Sequence, residues 1–180
     1  MRVIAGQYGG RRLHAPRGTG TRPTSERVRE AVFSALGPID GAVVLDLFAG
    51  SGAMGIEALS RGAERAVFVE RDPRAAAVIR RNLEELGVGR DRARVLRRDA
   101  LAHLRDASSA GDAYDLVLID PPYRHAAGLG HELSQALPAV LRPGARVVTE
   151  SDRRAPLELD GLVCDLRRRY GDTIVSIHST

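Results

Sequence analysis

The sequence predicts an α/β chain built on a doubly wound, mostly parallel sheet that finishes in an antiparallel hairpin. Three features carry that expectation. From residue 42 onward, short apolar runs alternate with amphipathic helical segments. Strands that are apolar throughout and separated by helices belong to a parallel sheet covered on both faces. A glycine-rich turn with Gly50, Gly52 and Gly55 follows the first apolar run and opens a helix. The tail, LVCDLRRRYGDTIVSIHS, reads as two strands turning at Gly171-Asp172.

In chain order, Val3-Ile4 and the run from Arg11 to His14 flank Tyr8-Gly9-Gly10. Extended runs around paired glycines predict a small β-hairpin, assigned to residues 1–20 as an N-terminal extension. Residues 21–180 then form the main domain, led by a helix over 25–36. Pro23 biases Arg22 away from helix, and Thr24 or Ser25 can cap this leading helix. Val28, Val32 and Leu36, with Ala31 and Ala35, recur at helical spacing before Gly37-Pro38 ends the helix. The core, 42–180, has strands at 42–47, 65–70, 93–98, 114–120 and 145–150, and helices near 55–61, 73–86, 100–106 and 129–141. The helix at 73–86 is the most strongly marked. Asp72 stands at its N-cap, Pro73 at its first position and Gly87 just past its end.

Composition sets limits. The chain has 180 residues, 43% hydrophobic and 28% charged, the profile of an ordinary globular domain large enough to bury a real core. No apolar stretch reaches the ~20 residues of a bilayer span, and no signal-peptide pattern opens the chain. Cys164 is the single cysteine, which rules out an internal disulfide or a multi-thiolate metal site and suits a reducing compartment. A cytoplasmic location without membrane partners is therefore expected. The five histidines lack metal-site spacing, so no metal is expected. No candidate interface helix stands out, and a monomer is expected. All 27 basic residues are arginine. The absence of lysine excludes Schiff-base catalysis and a lysine-dependent phosphate loop.

The charge is unevenly placed. Residues 1–29 carry seven arginines (Arg2, Arg11, Arg12, Arg17, Arg22, Arg27 and Arg29) against Glu26, net +6. The remaining residues carry 20 arginines against 22 acids, net −2. Guanidinium groups concentrated on a near-neutral body form the footprint of a polyanion-binding arm. Arg2, Arg11, Arg12, Arg17 and Arg22, with neighbouring Thr24, are the candidate polyanion contacts.

The glycine turn is ambiguous by itself, because NAD, FAD and S-adenosylmethionine sites all use one. Glu70 ends the second strand, 20 residues after Gly50, where an acid can accept from both ribose hydroxyls. Asp46 narrows the choice. It lies inside the first strand's end, where a pyrophosphate has no use for a negative charge but a cationic amino-acid tail does. Asp99, ending the third strand, is placed to accept from an adenine amine or to cap the next helix. S-adenosylmethionine fits these acids best.

Asp120-Pro121-Pro122-Tyr123 ends the fourth strand. With strands ordered 3-2-1-4-5, strands one and four adjoin at the topological switch point, where ligands bind. An exocyclic base amine is a poor nucleophile because its lone pair is delocalised into the ring. Two acceptors on its two N–H bonds, the Asp120 carboxylate and the Pro121 carbonyl, would turn that lone pair toward a sulfonium methyl. Pro121 and Pro122 fix the backbone direction. Tyr123 offers a stacking face worth roughly 1–3 kcal/mol.

Together these residues resemble a known family. Asp120-Pro121-Pro122-Tyr123 is similar to the [Asp/Asn/Ser]-Pro-Pro-[Tyr/Phe/Trp] motif of amino-methyltransferases acting on nucleic-acid bases. MRVIAGQYGGRRL, TRPTSERVREAVFSAL, VLDLFAGSGAMGIEALSRGA, VLIDPPY and RRYGDT resemble the bacterial 16S ribosomal RNA guanine-N2 methyltransferases, over essentially the whole chain. The resemblance implies a Rossmann-like class I S-adenosylmethionine-dependent methyltransferase with a seven-stranded sheet. It implies one N2-methyl on a single guanine of 16S RNA (G966), within a 30S subunit or assembly intermediate. It implies cofactor contacts at Asp46, Phe48, Ala49, Gly50, Gly52, Glu70, Arg71, Asp99 and Ala100, and catalysis by residues 120–123. Base chemistry alone leaves adenine N6 and cytosine N4 open. A nicotinamide oxidoreductase on the same glycine turn and a non-catalytic ribosome-assembly factor are the alternatives from other classes.

Overall fold

The computed structural model describes residues 1–16, 25–122 and 126–180. Its strands are β1 (Val43–Leu47), β2 (Arg65–Val69), β3 (Ala93–Leu96), β4 (Tyr114–Ile119), β5 (Leu141–Asp152), β6 (Val163–Tyr170) and β7 (Thr173–Ser179). The helices are α1 (Glu26–Leu36), α2 (Ala53–Ser60), α3 (Pro73–Glu85), α4 (Ala100–Ala110) and α5 (Ala126–Ala136). One sheet joins all seven strands in the order β3-β2-β1-β4-β5-β7-β6. The first five run parallel, while β7 pairs antiparallel with both β5 and β6. The doubly wound sheet and its antiparallel finish are those predicted.

Side chains alternate across each strand, so each contributes to two cores. Val44, Leu116, Leu118, Val148 and Val175 face a layer that includes Val32 of α1, Ile56 of α2 and Ile79 of α3. Leu45, Leu47, Val117, Ile119 and Val147 face Leu104 of α4 and Leu133 of α5. Burial of β1 along its whole length results from helices on both faces.

Helix ends obey local chemistry. Ser25 Oγ accepts from the Val28 amide to start α1, and Asp72 accepts from Arg74 and Ala75 to start α3, with Pro73 at the first position. Differences from the sequence expectation have definite causes. The helix expected over 129–141 ends at Ala136, and Leu137–Val140 form a 3-10 turn containing Pro138, which cannot sustain an α-helical bond. β5 begins at Leu141 rather than 145, but its pairing with β4 is irregular up to Arg146, across Pro143 and Gly144. α4 runs on to Ala110, where Gly111 caps it in the left-handed region. Among the described residues, no helix is long and apolar enough to cross a membrane.

The N-terminal pairing is short: a single antiparallel bridge, Arg2 with Arg12, supported by Val3 N–H to Arg11 O and Gly10 N–H to Val3 O, both 2.9 Å. Val3, Tyr8 and Leu13 are buried in the same core as α2 and α3. Glu57 of α2, fully buried, accepts from the Ile4 and Ala5 amides at 2.8 and 3.1 Å and from Arg61 Nε at 2.7 Å. Ser60 Oγ accepts from Tyr8 N–H and donates to Ala5 O. Gly6 is needed there: its φ is +80°, and a Cβ would sit 1.9 Å from the Ser60 carbonyl oxygen.

Candidate active site

β1 and β4 are parallel neighbours with Asp46 opposite Leu118 and Leu47 opposite Ile119. Their carboxyl ends therefore release the glycine turn and the Asp120 turn side by side. An open crevice lies there between the sheet, α1 and α2. Its walls are Val32, Asp46, Met54, Leu118, Ile119, Asp120, Val148, Glu150 and Val175. Asp46 and Asp120 thus share one crevice. Pro121 is buried and Pro122 half-buried. Tyr123, Arg124 and His125 lie outside the described residues.

Asp46 is 4% exposed, and its Oδ2 accepts from the Gly55 amide at 2.9 Å, in the first turn of α2. Burial pushes its carboxyl up to about 8; the Gly55 N–H opposes that shift, and nearby Glu70 adds to it. On sequence, helix capping carries little weight at this position, yet the bond is present. A carboxyl that anchors a helix start and faces a crevice can serve both ends through its two oxygens.

The turn after β1 is held in a strained shape. Phe48, which is not glycine, has φ 60°, in the left-handed region, followed by Gly50 at 55° and Gly52 at 77°. A non-glycine residue there costs on the order of 1–2 kcal/mol, and such outliers gather at ligand sites. Ala49 N–H bonds Val69 O, and Gly50 N–H bonds Glu70 Oε2 at 2.9 Å. The other Glu70 oxygen accepts from Asp72 N–H at 2.8 Å. Gly55 is required by packing, since a Cβ would lie 2.4 Å from the Phe68 ring.

Further along the same edge, Asp99 is exposed and caps α4, its Oδ1 accepting from Ala102 N–H at 3.0 Å. Ala100 is buried and Arg71 exposed. Glu70, Arg71, Asp99 and Ala100 follow β2 and β3, one and two strands away from the crevice at β1 and β4.

The basic segment divides. Arg2 pairs with Glu26 at 3.1 Å, Arg11 donates to the Glu85 carbonyl at 2.7 Å, and Arg12 is exposed. Arg17, Arg22 and Thr24 lie outside the described residues. Arg29, counted with the basic arm on sequence, is instead fully buried; its guanidinium donates to the Arg2 carbonyl, and its neighbours include Glu57 and Glu26. It belongs to the attachment of the N-terminal segment and not to that segment's exposed surface.

Sequence reasoning missed three contributors. Glu150 ends the apolar run of β5 and lines the crevice; it is an acid closing such a run, the same signal that marks Asp120. Asn82 of α3 donates to Ser51 O and His14 O and accepts from His14 N–H, tying the glycine turn to the N-terminal segment. Glu57 anchors that segment. Neither of these last two is distinguishable on sequence from a polar residue on a wet helix face.

A family model described as conserved hypothetical protein 95 matches residues 1–179. The chain belongs to that family. It is 39% identical to the Bacillus subtilis protein named "Putative rRNA methyltransferase YlbH", over 99% of this chain and 98% of that one. It is 43% identical to the Escherichia coli "Ribosomal RNA small subunit methyltransferase D" over 69% of this chain and 61% of the relative. The solved structure "Putative methyltransferase yhhF from Escherichia coli" superposes with a TM-score of 0.85 at 35% identity, covering 99% of this chain and 97% of that one. The conserved hypothetical protein 95 family fold is thus the Rossmann-like methyltransferase fold expected from the sequence.

Proposed function

We propose that the protein transfers a methyl group from S-adenosylmethionine to the exocyclic N2 of one guanine in 16S ribosomal RNA, G966 by the resemblance, within a 30S subunit or assembly intermediate. The observation that carries this reading is the shared crevice of Asp46 and Asp120 at the β1/β4 switch point.

The residues fit the cofactor. The left-handed Phe48-to-Gly52 turn opens the backbone to close approach; Glu70 is assigned to the ribose hydroxyls and Asp46 to the cationic tail. Asp99 and Ala100, with Arg71, are assigned to the adenine side. S-adenosylmethionine supplies an electrophilic methyl on a good leaving group. The protein's part is to orient the nucleophile. Asp120 and the Pro121 carbonyl accept from the two N–H bonds of the amine, Pro122 holds the turn, and Tyr123 stacks the base. Holding two reactants in line supplies much of such an acceleration without a metal or a covalent intermediate. Arg2, Arg11, Arg12, Arg17 and Arg22, with Thr24, are assigned to the RNA backbone. The names of the relatives support an RNA substrate.

The test is methyl transfer from labelled S-adenosylmethionine to 30S subunits lacking the modification, followed by nucleoside mass spectrometry. N2-methylguanosine is the expected product. N6-methyladenosine or N4-methylcytidine overturns the base, and no transfer overturns the activity.

A further inference from the structure

The crevice contains a third acid to which methyl transfer by Asp120 and Pro121 gives no task. Thr149 of β5 pairs with Ile119 of β4 in parallel register. The next residues are Glu150, still on β5, and Asp120, just past the end of β4. By alternation both share the sheet face of Leu118 and Val148, the face covered by α1 and α2. Glu150 is 7% exposed and lines the same crevice as Asp120, among the apolar side chains of Val32, Met54 and Val175. Its carboxyl lines the crevice beside the group assigned to the reacting amine.

We propose that Glu150 accepts from the ring N1–H of the target guanine while Asp120 and Pro121 hold its N2 amine, so that Glu150 selects guanine against adenine and cytosine. This assignment rests on the reading of the crevice as the base site.

The selectivity comes from the ring atoms. In guanine, the carbon bearing the amine has N1 on one side, and N1 carries a hydrogen. In adenine and cytosine, the ring nitrogen beside the amine-bearing carbon is a bare acceptor. An ionised carboxylate accepts and cannot donate. Opposite N1–H it makes a charge-assisted hydrogen bond. Opposite a bare nitrogen it sets lone pair against lone pair, and the carboxylate gains no hydrogen bond there in exchange for its lost hydration. Exocyclic-amine chemistry is common to all three bases, so a neighbouring ring-edge contact must carry the choice among them. Glu150 is the crevice acid left to make it.

The test uses reconstituted 30S subunits carrying either guanine or 2-aminopurine at the target position. 2-Aminopurine keeps the 2-amino group but has no N1–H. The wild-type enzyme is expected to favour guanine by about 100-fold or more in kcat/KM, as buried sites that bind a substrate N–H do. In Glu150→Ala the preference should shrink to within about tenfold, mainly through loss on guanine. Glu150→Gln, nearly isosteric, should gain on 2-aminopurine because its amide can donate to the bare N1. Equal proportional losses on both substrates, leaving the ratio unchanged, overturn the assignment. The natural substrate separates the two levels. N2-methylguanosine with an unchanged ratio removes Glu150 alone, whereas a different methylated base or no product removes the base-site reading and Glu150 with it.

Discussion

The Gly50 amide donates to Glu70 Oε2 at 2.9 Å, bridging the turn after β1 to the end of β2. The same carboxyl holds the Asp72 amide at the start of α3. Glu70, the proposed ribose acceptor, therefore also shapes the glycine turn. Replacing it with alanine should weaken S-adenosylhomocysteine binding by about 10- to 100-fold, since one charge-assisted bond is worth roughly 1.5–3 kcal/mol. Calorimetry measures it. Unchanged affinity would remove Glu70 from the cofactor site.

Asp120 tests the division between binding and chemistry. Asp120→Ala should lower turnover by about 100- to 1,000-fold, the range for losing one oriented polar group in an active site. Cofactor affinity should stay within about threefold of wild type. Tritiated methyl transfer and calorimetry provide the two readouts. Wild-type turnover in this variant would refute the catalytic assignment.

Asp46 predicts a pH dependence. Its folded-state carboxyl lies at about 8, above the ordinary 3.8. Between those values the folded protein holds a proton that the unfolded chain has released. This group's contribution to stability is thus fully present below pH 3.8 and lost as the pH rises through about 8. A cationic ligand in the crevice favours the carboxylate, so binding below pH 8 must expel the proton. Affinity should rise with pH toward 8 and then level. Titrations in buffers of different ionisation enthalpy count the protons released, and Asp46→Asn controls for the ligand's own titration. An identical pH profile and proton count in the two proteins would contradict the linkage.

Glu57 predicts a stability effect remote from the crevice. Its buried carboxylate holds the Ile4 and Ala5 amides and Arg61 together. Glu57→Ala leaves those donors without their acceptor, and roughly 3 kcal/mol of unfolding free energy should be lost. Urea denaturation reads the loss, and amide exchange at Ile4 and Ala5 should accelerate. Unaltered exchange would mean that the segment is held by its apolar contacts alone.

What the sequence determined by itself is local and periodic. Apolar runs separated by helical stripes specify a parallel sheet, because each strand must be covered on both faces. Asp72-Pro73 and Ser25 specify helix starts through bonds spanning three residues. Glu70 and Asp120 are visible because they stand where an apolar run stops, and Asp46 because an acid interrupts one. Helix lengths were less legible, since Ala110 and Ala136 end their helices through Gly111 and Pro138 acting together with packing.

Only the tertiary structure decided which of these groups meet. Asp46 and Asp120 share a crevice because β1 and β4, 74 residues apart at these positions, lie in register. Glu150 joins them because β5 pairs next to β4. The identity of Arg29 as a buried residue, and of Glu57 and Asn82 as anchors for the N-terminal segment, likewise arises from contacts between parts of the chain far apart in sequence. Periodicity tells which face of an element is apolar; it says nothing of which distant polar group will be buried against it.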